Sequence, residues 1–357
     1  KHYDYWADVF WLLNRNLPPN TRILRIGAKD EPNFEHCINI QGQTNINNIA
    51  YLLKNAKGYL GTDTFSMHMA SSFNLPLLAT FSSSPIANSG PYFGDSSRQV
   101  LIESPLNGAK PSYAFNENPK TINLIKPEEI AEKFLNLLSF NYKNEYKTVH
   151  FGADYVKRKQ IYFIPTTSIQ SPPGLVPEIR MDYHFNEEVL AQELTKGECF
   201  VVTNKPINLN LLKRFRKNVK VLVYMLEEEN DPQFPKDSRK LGINTVLASY
   251  MSKDEVQKLK IDYYEIGAIK TADRMPQDKV NELKLVPNLY YKSQKLVSAG
   301  NKVYSSRAAF IAGKEKPASN DFEPVIDCEI FWDNANDFYF VQKVQKNDWQ
   351  FYSLELT

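Results

Sequence analysis

Apolar positions recur at near-helical spacing from residue 3 to 17, through Tyr5, Trp6, Val9, Phe10, Leu12, Leu13 and Leu17, and Pro18-Pro19 ends the pattern. Arg22 to Ile26 then reads as a strand turning at Gly27 into Lys29-Asp30-Glu31, and Cys37 to Ile40 as a second short strand. Thr44 or Asn45 can cap a helix carrying Ile46, Ile49, Leu52 and Leu53. Tyr59-Leu60 ends at Gly61, a short helix is expected through Met67, Met69, Ala70 and Phe73, and Leu77 to Phe81 is an apolar run of buried-strand type. Residues 86–120, rich in Gly, Pro, Asn and Ser, read as a long ordered loop with a strand near Gln99 to Ile102. Pro127 opens a helix through Leu138, and the polar stretch Asn141 to Lys147 reads as a linker.

A second alternation follows. Strands are expected at 161–164, 199–203, 219–226, 244–247 and 261–266, helices at 187–194, 209–215 and 252–260, a turn at Ser171 to Gly174 and a break at Asp231 to Pro235. Beyond Pro287, the runs Asn288 to Lys292, Lys302 to Tyr304 and Phe338 to Val341 look like strands. The pattern is that of an α/β protein: a Rossmann-like domain over 1–140, a second α/β (Rossmann-like) domain over 148–285, and a β-rich C-terminal extension over 286–357. At 357 residues the chain is long enough for two cores.

Composition narrows the chemistry. With 43 Lys and Arg against 41 Asp and Glu, a net charge of +2 supplies no field to recruit nucleic acid or anionic lipid. Cys37, Cys199 and Cys328 are few, odd in number and widely spaced, which points to buried thiols in a reducing, cytoplasmic compartment rather than disulfides or a zinc cluster. No apolar run approaches the ~20 residues of a membrane span, and no signal peptide is evident. The chain opens at Lys1 on what reads as the first helix of a half-enzyme, which suggests a processed chain or a piece of a longer one.

Residues 58–85 carry the most informative pattern. Asp63, Thr64 and Ser66 offer oxygens where a helix begins at the carboxyl end of a strand, and the unpaired N–H groups there suit a phosphate or diphosphate. The same residues cap ordinary helices. His68 lies one turn into the helix, where it can donate to a phosphate or serve the packing. Ser82, Ser83 and Ser84 follow the next strand and offer further donors, or form a polar turn. Gly27, Lys29 and Glu31 make the earlier turn, with Lys29 placed to meet phosphate charge and Glu31 a ribose hydroxyl, though exposed turns carry such pairs routinely.

Gly61-Thr-Asp-Thr-Phe-Ser-Met-His-Met-Ala70, followed by Asn74-Leu-Pro76 and a strand, resembles the signature of the ADP-heptose:lipopolysaccharide heptosyltransferases, glycosyltransferase family nine. Ile26 to Glu31 resembles that family's Gly-x-x-x-Glu turn toward the nucleoside, and Gln43 to Ile46 the start of the preceding helix. The resemblance covers about residues 1–140. It implies the nucleotide-sugar-binding half of a GT-B fold and transfer of a sugar from a nucleotide diphosphate donor to a saccharide or glycan, without a metal or other cofactor. The implied donor-site residues are Gly27, Lys29, Glu31, Asp63, Thr64, Ser66, His68, Ser82 and Ser83. Phe65 departs from the family, which has Gly there, and its side chain can crowd the backbone approach to a diphosphate.

Transfer also needs a base for the acceptor hydroxyl. In the resembled family that base lies on the other half, so three arrangements stay open. The second α/β domain takes the acceptor role, with Asp182, Glu187 or Asp231 as base; a further domain or chain supplies the acceptor site; or the first domain is a non-catalytic binding or assembly module. The acidic run Glu227 to Asp231 and the basic stretch Lys213 to Lys220 read as solvated surface, and Tyr290, Tyr291 and Tyr304 as strand residues or sugar-stacking faces.

Overall fold

The computed structural model describes residues 2–114, 116–155, 160–172, 174–227, 231–271, 273–319 and 321–344. The centre of the acidic run (228–230), Pro173 of the expected turn and the end of the β-rich extension (345–357) lie outside the described residues. Contacts divide the chain into two units, one running through Thr148 together with Val344, the other Val149–Lys343.

In the first unit the elements run α1 (Trp6–Asn16), β1 (Leu24–Arg25), β2 (Ile38–Asn39), α2 (Ile46–Asn55), β3 (Tyr59–Thr62), α3 (Phe65–Ser72), β4 (Leu77–Phe81), α4 (Ile86–Ser89), β5 (Gln99–Glu103) and α5 (Pro127–Leu137). Asn45 caps α2 reciprocally: its side chain accepts from the Asn48 N–H at 2.9 Å, and Asn48 Oδ1 accepts from the Asn45 N–H at 3.1 Å. Strands β3, β4 and β5 form one parallel sheet with β4 in the middle, and every residue of β4 is buried. Leu77, Ala79 and Phe81 pack with Ile49, Leu53, Met67 and Ala70 of α2 and α3, and α5 packs against β4 and α1. Strands β1 and β2 pair in parallel as a separate two-stranded sheet.

Each of these two sheets keeps a free edge. Tyr59 and Asp63 donate to Pro76 and Thr80 carbonyls at 2.8 and 3.3 Å, so the alternate residues Leu60 and Thr62 turn their backbone groups away from β4. Carbonyls of Ile23 and Arg25 accept from Ile38 and Ile40 at 2.8 and 3.0 Å, so Leu24 and Ile26 likewise face away from β2.

The second unit is entered along β6 (Tyr146–Phe151) and continues β7 (Gln160–Ile164), β8 (Glu178–Arg180), α6 (Glu187–Lys196), β9 (Cys199–Thr203), α7 (Leu209–Arg214), β10 (Val219–Leu226), α8 (Gln233–Lys240), β11 (Thr245–Ser249), α9 (Lys253–Tyr263), β12 (Ile269–Thr271) and α10 (Gln277–Lys284). Then come β13 (Leu289–Ser293), β14 (Lys295–Ala299), β15 (Lys302–Tyr304), α11 (Arg307–Ile311), β16 (Glu323–Pro324), α12 (Glu329–Asp333) and β17 (Phe338–Lys343). An eight-stranded sheet has the order β12-β11-β10-β9-β8-β7-β14-β15, parallel except for β15. Leu190, Leu194, Leu212, Phe234 and Tyr263 from α6 to α9 join Ile179, Val201, Leu222 and Leu247 in one core, so the crossover helices cover one face. A smaller sheet, β16-β13-β17-β6, carries an aromatic cluster of Tyr291, Phe331, Trp332, Phe338 and Phe340.

Three local expectations are corrected. Residues 261–266 do not form a strand: α9, held by a Ser252–Glu255 capping box, runs on to Tyr263, and the strand comes later at Ile269–Thr271. The stretch read as a break from Asp231 opens α8, because Asp231 Oδ1 accepts from the Gln233 N–H at 2.9 Å and starts the first turn. The linker is shorter than expected, since Tyr146 and Lys147 already belong to β6.

Leu77→Ala would empty a fully buried position in β4. The expected cost is about 2–5 kcal/mol, read as a lowered urea midpoint.

Candidate functional site

The β3–α3 turn gathers hydroxyls. Tyr59 OH lies 3.2 Å from Thr64 Oγ1 and 3.0 Å from Ser66 Oγ, and the two smaller hydroxyls are 2.9 Å apart. A side chain on Gly61 would collide with the Tyr59 phenol, so glycine leaves the path along the strand open. Burial raises the Tyr59 pKa, opposed by hydrogen bonds from Ser66 and Thr64, and the phenol remains a neutral donor near pH 7. Thr64 is the N-cap of α3, yet its side chain makes no capping bond, because its hydroxyl is committed to this cluster. The N–H groups of the first turn of α3 therefore stand at the site with a partial positive charge.

Phe65 projects from the first helical position and is 56% exposed, so its ring does not plug the turn. Asp63 is half-buried and stays in the β-ladder through its N–H, while His68 is exposed on α3. At the end of β4 and just after it, Thr80, Ser82 and Ser83 are buried, and the Thr80 and Ser83 hydroxyls bond no protein atom. Thr80 alternates with Ala79 and Phe81, which pack against α2 and α3, so its hydroxyl faces the other side of the sheet, and neither it nor Ser83 lines the cleft described below.

The turn after β1 is held by charge. Glu31 bonds Arg25 at 2.8 Å and accepts from the Ala28 N–H at 3.2 Å, and its carboxylate folds over Gly27, where a side chain would meet it. Arg25, 7% exposed, also bonds the Pro32 carbonyl and lies 4.3 Å from the Phe34 ring centre. Lys29 is exposed. A cleft of about 1750 Å³ separates the two turns, and Gly27, Ala28 and Glu31 line it together with Thr64, Phe65 and Ser66. Lys29, Asp63, His68, Ser82 and Ser83 are not among its lining residues.

Sequence reasoning passed over Tyr59 and Arg25. The signal for Tyr59 was its two-residue offset from Gly61 on a strand, which puts both on one face.

The three carboxylates considered as bases are engaged. Asp182 receives Arg180 Nε and Nη2 at 2.8 and 2.7 Å, both side chains being about 5% exposed. The Arg180 guanidinium also stacks on Tyr183, 4.0 Å from its centroid. Glu187 accepts from the Asn208 N–H at 2.7 Å, and Asp231 starts α8.

Residues 20–112 match the family model for glycosyltransferase family 9 (heptosyltransferase). This stretch is heptosyltransferase-like. It spans β1 to β5 and both turns of the site. Among solved structures, "The crystal structure of the glycosyl transferase family 9 from Veillonella parvula DSM 2008" is similar at 15% identity with a TM-score of 0.29, over 38% of this chain and 41% of that one. The chain thus spans less than half of that relative, and no curated protein matches it. Among the described residues no helix is long and apolar enough to cross a membrane.

Asp182→Asn removes the bidentate partner of a buried guanidinium and leaves it only the longer ion pair to Glu178 at 4.0 Å. It should cost about 3–5 kcal/mol in urea unfolding. A catalytic base at this position would instead lose turnover with stability unchanged.

Proposed function

We propose that this chain is a glycosyltransferase that moves a sugar from a nucleotide diphosphate donor to a saccharide or glycan acceptor in the cytoplasm. The observation that carries the reading is the β3–α3 turn: free N–H groups at the start of α3 and the Tyr59–Thr64–Ser66 hydroxyl cluster, inside the heptosyltransferase-like stretch. A leaving diphosphate is stabilised by donors aimed at its developing charge, a task these backbone and hydroxyl groups can perform without a metal. Glu31, already anchored by Arg25, presents its carboxylate beside Gly27 for a ribose hydroxyl. Lys29, Asp63, His68 and Ser82 join the proposed donor site through the family resemblance alone, since none of them lines the cleft.

A second reading, a non-catalytic nucleotide-sugar-binding module, is favoured by the engagement of Asp182, Glu187 and Asp231 in structural contacts. In that case, or where a further domain or chain supplies the acceptor site, the described carboxylates need not furnish a base.

Calorimetry with ADP- and UDP-sugars tests the donor site. Thr64→Ala should weaken binding about tenfold, corresponding to ~1.4 kcal/mol for one hydrogen bond to a charged group. Absence of nucleotide binding, or unchanged affinity in Thr64→Ala and Ser66→Ala, would falsify the assignment. Turnover of a radiolabelled nucleotide sugar separates transferase from binding module.

A further inference from the structure

The second unit carries a cation that its own fold leaves unused. Ile179 of β8 packs in the core under α6 to α9, so Glu178 and Arg180 on either side of it point to the opposite face of the eight-stranded sheet. There Arg180 lies 4.9 Å from the Tyr162 ring centre and 4.0 Å from that of Tyr183, and Arg307 lies 4.5 Å from the Tyr183 centre. Arg180 is committed: Asp182 accepts from it bidentately, Glu178 stands 4.0 Å away, and Tyr250 OH accepts from its Nη2 at 3.3 Å. Arg307, half-buried at the first position of α11, places its guanidinium over Tyr183 and makes no hydrogen bond or ion pair with it among the described residues. Asp333 feels the Arg307 charge but is bridged to Arg274 at 3.4 Å.

These groups stand at the carboxyl end of the sheet. Strand β8 ends at Arg180 and β11 at Ser249, one residue before Tyr250, while Ala309 of α11 shares a core with Ile164 and Ala299, the last residues of β7 and β14. From β7 the strand order runs one way through β8 to β12 and the other way to β14. Open α/β sheets bind ligands outside the carboxyl ends at such a reversal. We propose that Arg307, with the phenols of Tyr183 and Tyr250, binds the carboxylate of a small organic acid at this edge. A guanidinium resting over a ring keeps its N–H donors, a planar fork, for a planar two-oxygen acceptor. Tyr183 lies within electrostatic reach of both Arg307 and Tyr250, and burial holds its phenol in the neutral, donating form. The Asp182 carboxylate alongside would repel a doubly charged phosphate more than a singly charged carboxylate, which selects the class.

The test is calorimetry on the full chain with succinate, inorganic phosphate and glucose as probes. Succinate should bind saturably, phosphate more weakly and glucose not at all. Arg307→Gln should weaken succinate binding about tenfold, the loss of a charge-assisted pair, with the urea midpoint unchanged. Arg307→Lys, which keeps the charge and loses the fork, should fall in between. Absence of saturable succinate binding, phosphate bound more tightly than succinate, or unchanged affinity in a folded Arg307→Gln overturns the proposal. Should that variant not fold, phenylglyoxal modification of the unsubstituted chain decides. Succinate should slow the reaction at Arg307, mapped by mass spectrometry, and an unchanged rate there overturns the site.

Discussion

Strand β4 is the constraint on which the candidate site depends. It is buried throughout and paired on both edges, so its register with β3, Tyr59 with Leu77 through Thr62 with Thr80, has no freedom to slip without exposing Leu77, Ala79 and Phe81. That register ends with the Asp63 N–H on the Thr80 carbonyl, and the chain leaves the ladder one residue before Thr64. The start of α3 is thereby fixed against the end of β4, where the buried hydroxyls of Thr80 and Ser83 are found. A turn held this way draws its rigidity from apolar packing several residues away.

The other half of the site is held more lightly. Strands β1 and β2 are two residues each and pair only with one another. The turn after β1 owes its shape to polar contacts, with Arg25 bridging Glu31 and the Pro32 carbonyl and Asn39 accepting from the Phe34 N–H at 3.0 Å. A partly exposed ion pair of this kind orients groups more than it stabilises the unit, since solvent screens much of its attraction. One wall of the cleft is anchored by a core and the other by a local polar network.

Much of this arrangement was legible in the residues. The runs 199–203, 219–226 and 77–81 are short, apolar and bounded by turn residues, and they occur as β9, β10 and β4; the stripe ended by Pro18 is α1. The signature around Asp63 to Ala70 pointed to the turn that the family comparison also covers. What sequence could not supply were facts of pairing. Nothing local in Glu178 to Arg180 marks a three-residue strand, because its place between β7 and β9 comes from neighbours distant in the chain. Asp182 looked available as a base until Arg180, two residues earlier, was found bonded to it in a bidentate pair. The capping role expected of Thr64 yielded to hydroxyl contacts that require Tyr59 to lie over Gly61, a geometry that only the folded strand brings about.

Phe65 is where the heptosyltransferase-like stretch departs from its own pattern, and its position determines what the departure does. A side chain at the first helical residue is tilted toward the helix N-terminus, so the ring stands beside the N–H groups rather than beneath them. At 56% exposure the residue is largely in solvent while also lining the cleft. A bulky residue at this position therefore bears on access to the first-turn N–H groups and not on their presence.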